Sequence, residues 1–212
     1  RRLMEKKKIV IVGAGLCGTL LAIRMAQRGY EVSLHEKRSD MRKEEMAAGR
    51  SINLALSARG LMALDRVGLK DRVLEYCIPM HGRMIHTKDS DTFLSPYSGR
   101  SEDYINSVSR GGLNCLLLDE AEKMDDVTIH FNSACKSVDL KNAKATFKQA
   151  NEWDVMETGD ILIGTDGAGS VVRKSMMSRT TELLFNYSQN FLRHGYKELS
   201  ILPAENGGYK IE

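Results

Sequence analysis

The sequence predicts an α/β fold built around parallel strands, with antiparallel strands inserted between them. Three observations carry this. Lys8–Val12 is a short β-branched run of the kind buried on both faces of a parallel sheet. It feeds directly into a glycine-rich turn, Gly13-Ala14-Gly15-Leu16-Cys17-Gly18. Far downstream, a second apolar run at 160–164 opens onto another glycine-containing turn, Thr165-Asp166-Gly167-Ala168-Gly169-Ser170.

After the first turn, residues 19–28 read as a helix, with Leu20, Leu21, Ile23 and Met25 apolar and Gly29 placed to end it. Glu31–His35 reads as the next strand, closing at Glu36. Strand, turn, helix and strand together have the length of a βαβ unit. Residues 38–50 are charged and read as a loop. A helix is expected over 57–67, with Leu61, Leu64 and Val67 on one face and Gly68 at its end, then a shorter one over 69–75. Residues 84–87 and 92–94 look like strands joined by the polar turn 88–91. The chain then becomes rich in Ser, Tyr and Gly, as if leaving for a second domain. A helix over 113–124, a strand over 127–131, a hairpin over 134–140 and 143–148, and a further strand near 153–156 follow. The second apolar run, its turn and a helix complete the pattern, and periodicity weakens from about residue 180.

Composition narrows the function classes. The chain has 212 residues, 42% hydrophobic and 28% charged, with a formal net charge of +3. That is a globular balance. There is no basic stripe and no aromatic platform of the kind nucleic-acid binders use. Cys17, Cys77, Cys115 and Cys135 include no C-x-x-C pair, and His81 and His86 lack ligand spacing, so neither a disulfide framework nor a metal site is expected. Basic residues ahead of the apolar stretch 9–23 resemble a secretory leader, but Gly13, Gly15 and Gly18 interrupt it and it is too short to span a bilayer.

The first turn fits G-x-G-x-x-G, follows a strand, opens a helix and has an acid, Glu36, 18 residues beyond its last glycine. In that context the motif points to a dinucleotide. Gly13 allows the tight turn. Gly15, expected at positive φ, lets backbone approach a pyrophosphate. Gly18 lets helix and strand pack closely. The helix N-terminus supplies N–H groups and partial positive charge. Glu36 is placed to accept ribose hydroxyls; alone, it would equally suit a solvated surface acid. This motif does not distinguish FAD from NAD.

The second turn does. The stretch 160–173 reads D-I-L-I-G-T-D-G-A-G-S-V-V-R. It resembles the Asp-Gly motif of the class A flavoprotein hydroxylases, which in that family lies near the FAD pyrophosphate and is linked to NADPH use. The resemblance implies that Asp166 faces the flavin side and that Arg173 supports the loop or a phosphate.

Further stretches narrow the family. Arg50-Ser51-Ile52-Asn53-Leu54-Ala55-Leu56-Ser57, Ile78-Pro79-Met80-His81-Gly82-Arg83-Met84-Ile85-His86, Pro96-Tyr97-Ser98-Gly99, Ser107-Val108-Ser109-Arg110 and the segment from His194 to Leu199 each resemble motifs of the kynurenine 3-monooxygenases. The resemblance implies FAD- and NADPH-dependent hydroxylation of L-kynurenine with O2. Arg83 would grip the substrate carboxylate and Tyr97 would hydrogen-bond it, a planar fork and a directional donor suited to that group. Gly13, Gly15, Leu16, Gly18, Glu36, Arg38, Ala55, Arg110 and Asp166 would line the cofactor. His86 and His194 are read as structural, and no catalytic nucleophile is implied.

The implied architecture is a Rossmann-type FAD-binding domain (1–77 and 101–180) with an inserted antiparallel β element. Residues 78–100 and 181–212 would belong to a β-rich substrate domain. The family's second flavin motif, Gly-Asp followed by Ala-Ala-His, is expected beyond residue 212, so the chain reads as an N-terminal portion. The resemblance places the protein in a bacterial cytoplasm, or on the mitochondrial outer membrane in a eukaryote, with membrane contact only through an anchor outside this stretch. An NAD-linked dehydrogenase, a non-catalytic flavin-binding fragment and a hydroxylase of another aromatic compound are the competing readings.

Overall fold

The structure, a computed structural model, describes residues 6–43, 53–89, 91–150, 153–195, 202 and 204–208. The chain begins with β1 (Lys8–Val12), α1 (Leu16–Gln27) and β2 (Glu31–His35). Helix α1 starts at Leu16, three residues before the apolar pattern suggests, because the Gly15 carbonyl already accepts the Thr19 N–H at 3.0 Å. It ends at Gly29, whose φ of +85° turns the chain back toward β2.

Next come β3 (Asn53–Leu56), α2 (Ala58–Asp65), α3 (Lys70–Leu74) and β4 (Ile78–Met80). The hairpin β5 (Gly82–His86) and β6 (Thr92–Pro96) follows. Strand β7 (Ile105–Ser109) leads into α4 (Arg110–Glu122) and β8 (Val127–His130). Then come β9 (Ala134–Asp139), β10 (Lys144–Lys148), β11 (Asp154–Thr158), β12 (Ile161–Gly164), α5 (Val171–Met177) and the single turn α6 (Thr180–Leu183).

The expected hairpins form, but β3 and β7 do not show in the sequence pattern. The Ser-rich stretch that reads as an excursion contains β7, which pairs antiparallel with both β3 and β4. Its buried face is only Asn106 and Val108, so its polar composition hides the alternation. Helix α4 begins at Arg110 rather than at 113. The Ser109 hydroxyl accepts the Gly112 N–H at 3.1 Å and caps a first turn whose two glycines conceal it.

The central sheet runs β12-β1-β2-β8, all parallel. The place of β1 in this sheet explains why its sequence is apolar after Lys8. Ile9 and Ile11 face Ala22, Ile23 and Ala26 of α1 and Leu117 and Ala121 of α4, while Val10 and Val12 face Ala145, Phe147 and Val172. Covered on both faces, the strand has no polar side. No helix among the described residues is long and apolar enough to cross a membrane.

The second face is covered by the antiparallel sheet β11-β10-β9. The join between the sheets is polar at its centre. The His35 ring, 2% exposed, stacks on Phe147 at 3.6 Å and on His130 at 4.5 Å. Its two nitrogens meet Ser133 Oγ at 2.8 Å and Glu157 Oε2 at 2.6 Å, and Glu157 also pairs with Lys8 at 2.8 Å. Burial alone would raise the Glu157 carboxyl, but hydrogen bonds from His35, Lys8 and Ser33 hold it far below the usual carboxylate range.

A carboxyl held low in the folded state stabilises the fold above its ordinary value of 4.5 and loses that contribution as pH falls below it. Glu157→Gln is therefore expected to lower the melting temperature near neutral pH and to flatten its decline on acidification below about pH 4.5. Melting curves from pH 7 to 3 check this; an equally steep decline in the variant would place the acid sensitivity elsewhere.

Candidate functional site

The candidate site lies at the carboxyl ends of β1 and β12, where the strand order changes direction: from β1 the chain moves to β2 on one side and returns to β12 on the other. Both glycine-containing turns meet there. The Thr165 N–H donates to the Val12 carbonyl at 2.8 Å, and the Thr165 hydroxyl is 2.9 Å from the same oxygen and 2.7 Å from the Gly13 carbonyl. Gly13 has a φ of +102°, and a Cβ on it would stand 2.7 Å from the Thr165 carbonyl and 2.9 Å from the Asp166 Cα. A Cβ on Gly18 would land on the Gly13 carbonyl oxygen and the Thr165 hydroxyl.

Gly15 departs from expectation. Its backbone is extended, at φ −72° and ψ −176°, so positive φ is not what requires glycine there. A Cβ would meet nothing within 4 Å. The open space beside the loop lies at the N-terminus of α1, where the first-turn N–H groups lack intrahelical partners. Leu16 opens that helix and packs against the core.

Glu36 is not a solvated surface acid. It is 7% exposed, and its carboxylate accepts the Ala14 N–H at 3.0 Å, the Arg38 N–H at 3.1 Å and Arg38 Nε at 2.9 Å. It is tied to the glycine loop itself. Arg38 leaves most of its side chain in solvent while holding Glu36.

Asp166 turns one carboxylate oxygen toward α5, where Oδ2 accepts the Val171 N–H at 2.7 Å. Its Oδ1 is the one buried side-chain nitrogen or oxygen among the described residues without a hydrogen-bond partner. Burial, together with the Asp166 charge, pushes the Cys135 thiol up to about 11. Arg173 reaches back to the Gly167 and Ala168 carbonyls, the loop-supporting alternative of its two expected roles.

Ala55 is exposed on β3 opposite Ser107, and Arg110 is exposed at the start of α4. Arg50, Ser51 and Ile52, and the stretch 196–199, lie outside the described residues. On the hairpin, the Arg83 guanidinium sits over the Tyr97 ring at 5.6 Å, and the Tyr97 N–H donates to the His81 carbonyl at 3.0 Å. The two residues expected to share a carboxylate are thus neighbours, both exposed. His86 and His194 are exposed.

Two groups escape the sequence reading. Asn114, on α4, donates to the Ala14 carbonyl at 3.2 Å, and the Thr19 hydroxyl donates to the same oxygen at 3.0 Å. Asn114 lies in a leucine-rich stretch, and its polarity among Leu113, Leu116 and Leu117 is the signal that marks it. The other group is His35, His130 and Glu157, whose ligand atoms lie within 4.8 Å of one another. A metal was not expected from sequence. The arrangement here is that of a hydrogen-bonded pair: His35 and Glu157 are 2.6 Å apart, and the two imidazoles stack within 16° of parallel, so their in-plane lone pairs do not converge.

The sequence model of the FAD binding domain family matches residues 6–186. The chain is 44% identical over 206 residues to a kynurenine 3-monooxygenase of Legionella pneumophila (strain Corby), covering 97% of this chain and 45% of that protein. It is 41% identical over 209 residues to a kynurenine 3-monooxygenase of Myxococcus xanthus, covering 98% and 44%. Among solved structures it resembles 2-methyl-3-hydroxypyridine-5-carboxylic acid oxygenase, with a TM-score of 0.63 and 26% identity over 81% of this chain and 42% of that one. The chain spans less than half the length of these proteins. The residues present fit FAD: the α1 N-terminus beside the open space at Gly15 offers N–H donors to a diphosphate, and Glu36, fixed beside the loop, offers an acceptor to ribose hydroxyls.

The two glycines should therefore fail differently. Gly15→Val is expected to leave the apoprotein folded, because neither backbone nor neighbours oppose the side chain, yet to lose bound flavin. Gly18→Val is expected to destabilise the fold itself by driving α1 off β1. Flavin content and apoprotein melting temperature, measured on both full-length variants, separate these outcomes; flavin retained in Gly15→Val would move the phosphate site elsewhere.

Proposed function

The chain belongs to the FAD binding domain family, and from that premise we propose that it forms the cofactor-binding portion of a kynurenine 3-monooxygenase. The observation that supports this best is identity of 41% and 44% to kynurenine 3-monooxygenases across nearly the whole chain. The proposed reaction converts L-kynurenine, O2 and NADPH with a proton into 3-hydroxykynurenine, water and NADP+. FAD, when bound, supplies the redox and oxygen chemistry; the protein binds, orients and excludes water.

In this reading the α1 N-terminus and the Gly15 backbone hold the diphosphate, and Glu36 serves the ribose side while fixing the loop. Asp166 presents a buried oxygen within the second turn, and Ala55 and Arg110 add contacts from β3 and α4. The substrate is a zwitterionic amino acid with an electron-rich aniline ring. Arg83 offers its carboxylate a planar fork, and the Tyr97 hydroxyl adds a donor. The cation–π contact between them supports this role, since it orders an otherwise exposed guanidinium before substrate arrives. Residues 1–77 and 101–180 form the cofactor side, and 78–100 and 181–212 contribute to the substrate side.

In the full-length protein, Arg83→Ala should retain FAD and weaken L-kynurenine binding by about 2–5 kcal/mol, roughly thirtyfold or more. Arg83→Lys should recover only part, because an ammonium lacks the fork. Substrate titration and kynurenine-dependent NADPH oxidation, with flavin content as control, read this out. Unchanged affinity at normal flavin content would remove Arg83 from the substrate site.

A further inference from the structure

The geometry points to Asn114 as a positioning residue that aims the Gly15 N–H at the cofactor diphosphate. The inference rests on the FAD reading above. The peptide joining Ala14 to Gly15 is held by its carbonyl: Asn114 Nδ2 is 3.2 Å from that oxygen and Thr19 Oγ1 is 3.0 Å from it. On the preceding peptide, the Ala14 N–H is fixed by Glu36 at 3.0 Å. In a trans peptide the C=O and the following N–H point to opposite sides. Donors gripping the carbonyl from the α1 and α4 side therefore turn the Gly15 N–H the other way. A flip of this peptide would present the carbonyl oxygen to the phosphates in place of the N–H, replacing a donor by a repelling dipole.

Asn114 is 6% exposed, among Leu113, Leu116 and Leu117. A buried amide in such surroundings is retained at a cost unless its hydrogen bonds are used. An aspartate would fit the same space but offer an acceptor to a carbonyl and a negative charge near a diphosphate. An alanine would leave Thr19 as the sole side-chain donor.

The test uses the full-length protein, stripped of flavin and reconstituted with FAD, as wild type, Asn114→Ala, Asn114→Asp and Thr19→Val. FAD titration should show Asn114→Ala weakened roughly tenfold, the loss of about one hydrogen bond's net contribution, and Asn114→Asp weakened further. At saturating FAD, 31P NMR should show a diphosphate resonance shifted toward that of free FAD in Asn114→Ala. The same resonance should shift in Thr19→Val, which deletes the other donor to the same oxygen and carries the test if the Asn114 variants fail to fold. Unshifted 31P resonances overturn the inference, even if affinity or melting temperature falls, because they reduce Asn114 to a tie between α4 and the loop. A wild-type protein that binds no FAD overturns the functional reading itself, and this inference with it.

Discussion

The arrangement depends on one close approach. The backbone of the first glycine turn touches the backbone of the second, Gly13 against Thr165 and Asp166, and α1 is packed so tightly behind it that only a hydrogen fits at Gly18. A side chain at either glycine would separate β1 from β12 or lift the helix. The parallel pairing of β1 with β12 places these turns side by side although about 150 residues separate them in sequence. Thr165 then locks the approach through its hydroxyl and N–H.

Around that contact, buried polar groups fix what packing alone would leave free. Glu36 and Asn114 hold the two peptides of the first turn from different elements, and Asp166 caps α5 from within the second. Behind the sheet, His35, stacked between His130 and Phe147, joins β2 to β11 through its hydrogen bond with Glu157. Each such group is costly when unpaired and directional when paired. The loop conformation is thereby set before any ligand contributes, and that preorganisation reduces the ordering cost of binding a flexible dinucleotide.

Much of this is legible in the sequence, for identifiable reasons. Residues 9–12 stand out because a strand covered on both faces is continuously apolar, whereas β12, expected to be equally buried, lies at the sheet edge with Ile161 and Gly164 exposed. The glycine spacing is legible because steric exclusion at Gly13 and Gly18 admits no other residue. Strand β7 is not legible, since its inward positions include Asn106 and its outward ones are Ile105, Ser107 and Ser109, which blurs the alternation. The start of α4 hides behind Gly111 and Gly112, with the capping role of Ser109 visible only in three dimensions. Asn114 and His35 are missed because their partners, Ala14 and Glu157, are distant in sequence and share no motif with them. At Gly15 the expected positive φ is absent: its backbone is extended and a Cβ there would meet open space.

The two turns together are proposed to form an FAD diphosphate site rather than a generic nicotinamide dinucleotide site. Titration of the flavin-free full-length protein with FAD and with NAD distinguishes the two. An FAD site should give saturable FAD binding with the absorbance shift of an enclosed flavin, and markedly weaker NAD binding. Tighter binding of NAD than of FAD would contradict it.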